Sequence, residues 1–231
     1  EKWDVGGTSY VWVAVNELAG DGNMTIYAYW GMSGETQPQA YTTSGDVWVE
    51  GYLGVWHLRE TPGTDAYAYD STSNGNHLAF NGSMTGADQV PGEVDGALQL
   101  DGIDDSLSHA AVFDGVGAFA YSCWFKTDAT FTDTHGDLVS QRLDAIGGSQ
   151  QDPISGGRIS SDDGHLQFLL RDASKTPLYL PETLNGYNDQ KRHFAVFERN
   201  GNTARIVVDG GAEVASDTPV TTADVSTGSI L

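Results

Sequence analysis

The chain has 231 residues, 39% of them hydrophobic and 10% aromatic, which is enough for a sizeable core and argues against disorder. Lys and Arg total 11 against 32 Asp and Glu, a formal charge of -21, and a surface of that sign repels phosphate backbones and anionic headgroups. Nucleic acid and direct membrane insertion are therefore set aside as partners, and no apolar run approaches the about 20 residues of a membrane-spanning helix.

With 29 glycines and only 19% charged residues, the composition favours many short strands joined by glycine turns. The acidity itself has three readings: adaptation to a salty habitat, carboxylate loops for hard cations such as Ca2+, or plain solubility. Cys123 is the single cysteine, so an internal disulfide framework is excluded. Its place in Tyr121-Ser-Cys-Trp-Phe125 predicts a strand and a buried, inert thiol.

Alternation begins near the start of the chain. Tyr10-Val-Trp-Val-Ala-Val15 and Met24-Thr-Ile-Tyr-Ala-Tyr-Trp30 are rich in β-branched and aromatic residues, and the turn cluster Leu18-Ala-Gly-Asp-Gly-Asn23 between them predicts a hairpin. Residues 31–45 are polar and punctuated by Gly34 and Pro38, which suits a linker. A boundary is therefore placed at 45, with a partial β module over 1–45 and the main domain over 46–231.

Strand-like runs then recur at Leu53–Leu58, Ala66–Tyr69, His77–Phe80, Ala97–Leu100, Asp105–His109, Phe119–Thr127 and Asp137–Gln141. They continue at Leu166–Arg171, Pro177–Leu180, His193–Glu198 and Ala204–Asp209. Asp209-Gly-Gly211 supplies the positive φ angles of a tight hairpin turn. Helical periodicity is missing, although Glu182–Asn188 leaves room for a short helical turn, and residues 142–158 read as the longest turn-rich insertion. This density of strands predicts an all-β, antiparallel two-sheet sandwich.

Six short elements occur in a recognisable order. Tyr52-Leu-Gly-Val-Trp-His-Leu58 comes first, then Asp70-Ser-Thr-Ser-Asn-Gly-Asn-His77 and Gly96-Ala-Leu-Gln-Leu-Asp-Gly-Ile-Asp-Asp105. Phe119-Ala-Tyr-Ser-Cys-Trp-Phe-Lys126, Arg192-His-Phe-Ala-Val196 and Ala204-Arg-Ile-Val-Val-Asp-Gly210 follow. Over 52–231 this resembles the bacterial laminin-G-like domains of the concanavalin A-like lectin/glucanase superfamily. The resemblance implies a jelly roll, often with one calcium ion, on a secreted or surface protein. Glu1-Lys-Trp-Asp and the two runs that follow resemble the latter half of a small β module of unknown function that precedes such domains. Both ends then read as cut from a larger bacterial surface or secreted protein.

Asp70-Ser-Thr-Ser-Asn-Gly-Asn76 concentrates oxygen-bearing side chains around one glycine. Asp70, Asn74 and Asn76 are the candidate ligands of a Ca2+ ion, which favours hard oxygen donors. The same residues are ordinary turn formers, and Asn81 stands where an EF-hand would need its last carboxylate. In Asp101-Gly-Ile-Asp-Asp105 the carboxylates are expected to accept backbone N–H groups, and Ser160-Ser-Asp-Asp-Gly164 reads as a turn.

Enzymes related to this family carry Glu-x-Asp-x-x-Glu on a strand. Glu93-Val-Asp95 begins that pattern, but Leu98 occupies its third position and the flanking Pro91-Gly92 and Gly96 read as a turn. Neither Gly-x-Ser-x-Gly nor His-Glu-x-x-His is present, and the six histidines show no repeated ligand spacing. No catalytic residue is assigned. Tryptophans in strand-like runs are expected in the core, whereas Tyr187, Arg142, Gln150 and Gln151 fall on freer loops, and no sugar-contact residue is assigned.

The expectation is a non-catalytic, extracellular or cell-surface carbohydrate-binding or adhesion module, calcium-stabilised, with a polysaccharide or glycoprotein glycan as ligand. Two alternatives stand beside it: a structural spacer or matrix domain contacting neighbouring protein domains, and a glycan-degrading enzyme with an unrecognised site.

Overall fold

The structure is a computed structural model. It describes residues 6–15, 20, 23–29, 31, 44–49, 51–110, 118–127, 135–142, 153–171, 177–179, 181–200, 203–211 and 229–230. Every regular element among these residues is a strand. In chain order they are β1 (Ala79–Asn81), β2 (Gln89–Pro91), β3 (Gly96–Leu98), β4 (Ser106–Ser108), β5 (Phe119–Phe125), β6 (His135–Arg142) and β7 (Pro153–Ser160). Then come β8 (His165–Arg171), β9 (Pro177–Tyr179), β10 (Glu182–Gly186), β11 (His193–Asn200), β12 (Thr203–Val208) and β13 (Ser229–Ile230).

All ladders are antiparallel. The larger sheet has the order β10-β8-β7-β6-β13, with β9 also on β8, and a three-stranded sheet has the order β12-β11-β5. Two small pairs, β1-β4 and β2-β3, complete the set.

The core lies where the three-stranded sheet faces β7 and β8. Period-two alternation puts Tyr121 of β5, Ala195 and Phe197 of β11, and Ala204, Ile206 and Val208 of β12 on one inner face. They meet Ile159 of β7 and Leu166, Phe168 and Leu170 of β8 in a single buried cluster. The Tyr121 hydroxyl and Ser155 Oγ form a 2.8 Å hydrogen bond inside this core. A Cβ on Gly157 would stand 2.2 Å from the Phe197 ring, so the bare glycine makes room for that inner side chain. Cys123 packs against the same cluster, and burial pushes its thiol up to about 12. That matches the expected inert role.

Several expectations need correction. Residues 11–15 and 23–29 are assigned to no strand, so the expected hairpin is not formed among the described residues. Leu53–Leu58 and Ala66–Tyr69 make only isolated bridges, Trp56 with Asp70 and Ala68 with Leu78. The expected insertion over 142–158 contains β7, the central partner of β6 and β8. Ser155, Gly156 and Gly157 depress strand propensity there, but they also let neighbouring strands and Phe197 approach closely. Glu182–Asn188 begins with β10 instead of a helical turn, since Glu182 and Gly186 pair with Gln167 and His165.

Candidate functional site

Asp70 is buried, and its backbone bridges Trp56. Its Oδ1 accepts the Val55 and Thr72 N–H groups, both at 2.9 Å. Oδ2 accepts the Thr72 hydroxyl at 2.7 Å and the Asn76 N–H at 2.9 Å. Four donors fill the acceptor capacity of one carboxylate. Burial works against the charge, but the Val55, Thr72 and Asn76 bonds outweigh it and hold the carboxyl below its ordinary range.

The rest of the loop is clasped to the preceding segment. Asn74 Nδ2 donates to the carbonyls of Tyr52 and Leu53, and Asn76 Nδ2 donates to Leu53 O at 2.7 Å. Trp56 Nε1 donates to Asn76 O at 2.7 Å. The fold thus brings Asp70, Asn74 and Asn76 together, but around amide donors. These bonds account for the loop's shape without an ion, and a calcium ion on Asp70 would have to displace them.

The outer side of this segment has a different character. In Ala66–Asp70 the odd residues face out and the even ones in beyond position 66: Tyr67 and Tyr69 are 43% and 42% exposed, whereas Ala68 and Asp70 are buried. The tyrosine rings meet edge-on with centroids 6.4 Å apart, and the His77 ring lies 5.1 Å from Tyr69 and 6.1 Å from Tyr67. His77 is oriented by its Nδ1, which accepts the Asp70 N–H at 3.1 Å. A solvated aromatic face therefore rests directly on the Asp70 network.

Two further groups matched expectation in detail. Asp101 Oδ1 accepts the N–H groups of Ile103, Asp104 and Asp105, and the Ile103 bond leads in lowering its pKa. Glu93 and Asp95 lie in the turn between β2 and β3, where Gly92 N donates to Asp95 O. Glu93 is paired with Arg192 at 3.4 Å.

Among the described side chains the histidines are dispersed, each with its own surroundings. His109 Nδ1 contacts Ala110 O, and the His57 ring stacks on Trp12 at 5.2 Å. His193, at the start of β11, is buried between two carboxylates. Its Nδ1 lies 2.8 Å from Asp209 Oδ2 and its Nε2 lies 3.0 Å from Asp189 Oδ1. Burial disfavours the imidazolium, but the bonds to Asp209 and Asp189 prevail and raise its pKa.

Other sequence candidates fall differently. Tyr187 is packed edge-on against His193 at 5.0 Å and against the core, so it is no free loop platform. Arg142 ends β6, and Gln150 and Gln151 lie outside the described residues. Trp124 is 52% exposed on the outer face of β5, against the expectation of a core tryptophan, and packs on Phe194 at 5.2 Å. The Tyr67-Tyr69 face escaped the sequence reading because aromatic alternation alone does not say which face is covered. A shallow depression lined by Glu198, Asn200, Thr203 and Arg205 contains one carboxylate, already paired with Arg205 at 2.5 Å. No protein-family model matches this chain, and no curated protein matches it in sequence.

Proposed function

We propose that residues 46–231 form a laminin-G-like jelly roll serving as a non-catalytic carbohydrate-binding or adhesion module of a larger extracellular or surface protein. The observation that carries this reading is the face of exposed Tyr67 and Tyr69 with half-buried His77 beside them. Pyranose rings present flat C–H surfaces that pack on aromatic faces, while tyrosine hydroxyls and an imidazole offer hydrogen bonds at the rim. The underlying Asp70 network holds the face in place, which lowers the ordering cost of binding. A polysaccharide or glycoprotein glycan is the matching ligand class.

A glycan array with the intact chain tests the proposal, followed by a turnover assay on each retained glycan. The expected result is binding without product, weakened about tenfold or more by the combined Tyr67→Ala and Tyr69→Ala changes. Retention of no glycan, equal binding by that variant, or consumption of the ligand would overturn it.

One observation favours a spacer or matrix domain instead. Val11, Val13, Ile26, Tyr27 and Tyr29 are all at least 50% exposed, apolar side chains open to contact with neighbouring protein domains. Under that reading the array is blank and the chain associates with protein partners.

A further inference from the structure

Asp163, His165 and Glu182 converge at one edge of the larger sheet. His165 opens β8, Asp163 precedes it by two residues in the turn from β7, and Glu182 opens β10. The β8–β10 ladder, with its register shift between Glu182 and Gly186, carries the Glu182 carboxylate to the imidazole. His165 Nδ1 lies 3.3 Å from Glu182 Oε1 and 3.8 Å from Asp163 Oδ2, and the three ligand atoms all fall within 4.8 Å of one another. Donors bound to a tetrahedral zinc at about 2.0–2.2 Å stand about 3.4 Å apart, so small side-chain rotations bring this set to coordination distance.

Comparison with His193 separates this arrangement from an ion pair. At His193 the carboxylates occupy opposite ring nitrogens at 2.8 and 3.0 Å, one proton for each. At His165 both carboxylates crowd the same nitrogen at longer range. One ring nitrogen carries either a single proton or a lone pair, so it cannot satisfy both. A cation placed between the three donors satisfies all of them.

The backbone beneath is held close. A Cβ on Gly186 would meet Asp163 O at 2.1 Å, and Tyr187 N donates to Gly164 O at 2.8 Å. Asp163 Oδ1 accepts the His165 N–H at 3.1 Å and the Ser160 hydroxyl also bonds this carboxylate, whose Oδ2 lies toward the imidazole. The side chains of Asp163, His165 and Glu182 remain 47%, 28% and 41% exposed, so further coordination positions open to water.

We propose that Asp163, His165 and Glu182 bind a borderline divalent transition ion, with zinc the best fit. The nitrogen donor selects against Ca2+ and Mg2+, which take oxygen ligands. This proposal is independent of the carbohydrate reading.

Calorimetric titration of the intact chain with zinc chloride provides the test, alongside cobalt chloride and its visible absorption band. A single saturable site is expected, undisturbed by a large excess of calcium. His165→Ala should weaken zinc binding about tenfold or more, a loss that even outer-sphere partners of metal sites produce. Glu182→Gln, a change on an exposed side chain, should weaken it in the same direction while the melting temperature stays at the wild-type value. Asp104→Asn, in the all-oxygen cluster with Asp101 and Asp105, should leave it unchanged. Absence of saturable zinc binding, displacement by calcium, or unchanged affinity in both the His165 and Glu182 variants would overturn the assignment.

Discussion

Residues 11–15 and β12 carry the same kind of pattern with opposite outcomes. Val11, Val13 and Val15 alternate as regularly as Ala204, Ile206 and Val208. Yet Val11 is 66% exposed while Ile206 is fully buried. The difference lies in what each segment pairs with. β12 is laddered to β11 over six residue pairs, and its inner face meets Phe168 and Phe197 in one cluster. Residues 11–15 carry no assigned strand, although Trp12 reaches the Trp48 ring at 5.0 Å. Alternation therefore marks a face, and only a ladder with an opposing layer turns that face into core.

Mutations test that contrast, beginning with the largest effect. Phe197→Ala empties the centre of the sandwich and should destabilise the chain by about 4 kcal/mol in chemical denaturation. Asp70→Ala leaves the N–H groups of Val55, Thr72 and Asn76 without their acceptor and should cost about 3 kcal/mol. Because those donors already occupy the carboxylate, calcium should leave the melting temperature of the wild-type chain unchanged.

Gly157→Ala drives a methyl group into the Phe197 ring and should cost about 2 kcal/mol. In the Phe197→Ala background the same change should cost less, since the ring it meets is gone; equal costs would break the packing account.

A smaller effect comes from His193. Its pKa is raised in the folded chain, so its contribution is complete below the unfolded value near 6.5 and is lost as pH rises through the folded value. Asp189 and Asp209, both with lowered pKa values, stay ionised across that window. Denaturation midpoints should fall as pH rises above the ordinary imidazole value, and His193→Gln should flatten the slope. Smallest of all, Ile26→Ser should change stability by no more than about 0.5 kcal/mol. A loss near 2 kcal/mol would mean that this segment is core after all.

Much of the sandwich was legible because its strands obey local rules. β5, β8, β11 and β12 were placed within a few residues by apolar alternation. The Asp209-Gly210 turn, with φ values of 53° and 70°, followed from the Asp-Gly pair. Asp101 was read correctly because an Asp at the head of a Gly-containing turn caps nearby N–H groups by short-range geometry. β7 was illegible: Ser155-Gly156-Gly157 reads as loop, and only the close approach of Val139, Ser140 and Phe197 explains why small residues belong there. Ligand convergence was equally hidden. Asp163 reaches His165 only because the turn before β8 folds back, and Glu182 joins them only through the β8–β10 register.

What the amino-acid order determined by itself was the all-β class, the Asp-Gly turns, and the alternation within β5, β8, β11 and β12, because those depend on neighbours a few positions away. Which faces are covered, which carboxylates already have donors, and which histidine gathers two acidic groups on one nitrogen were settled only by tertiary structure. Each of those outcomes depends on segments far apart in the chain meeting across a ladder, and local pattern carries no record of the register in which they meet.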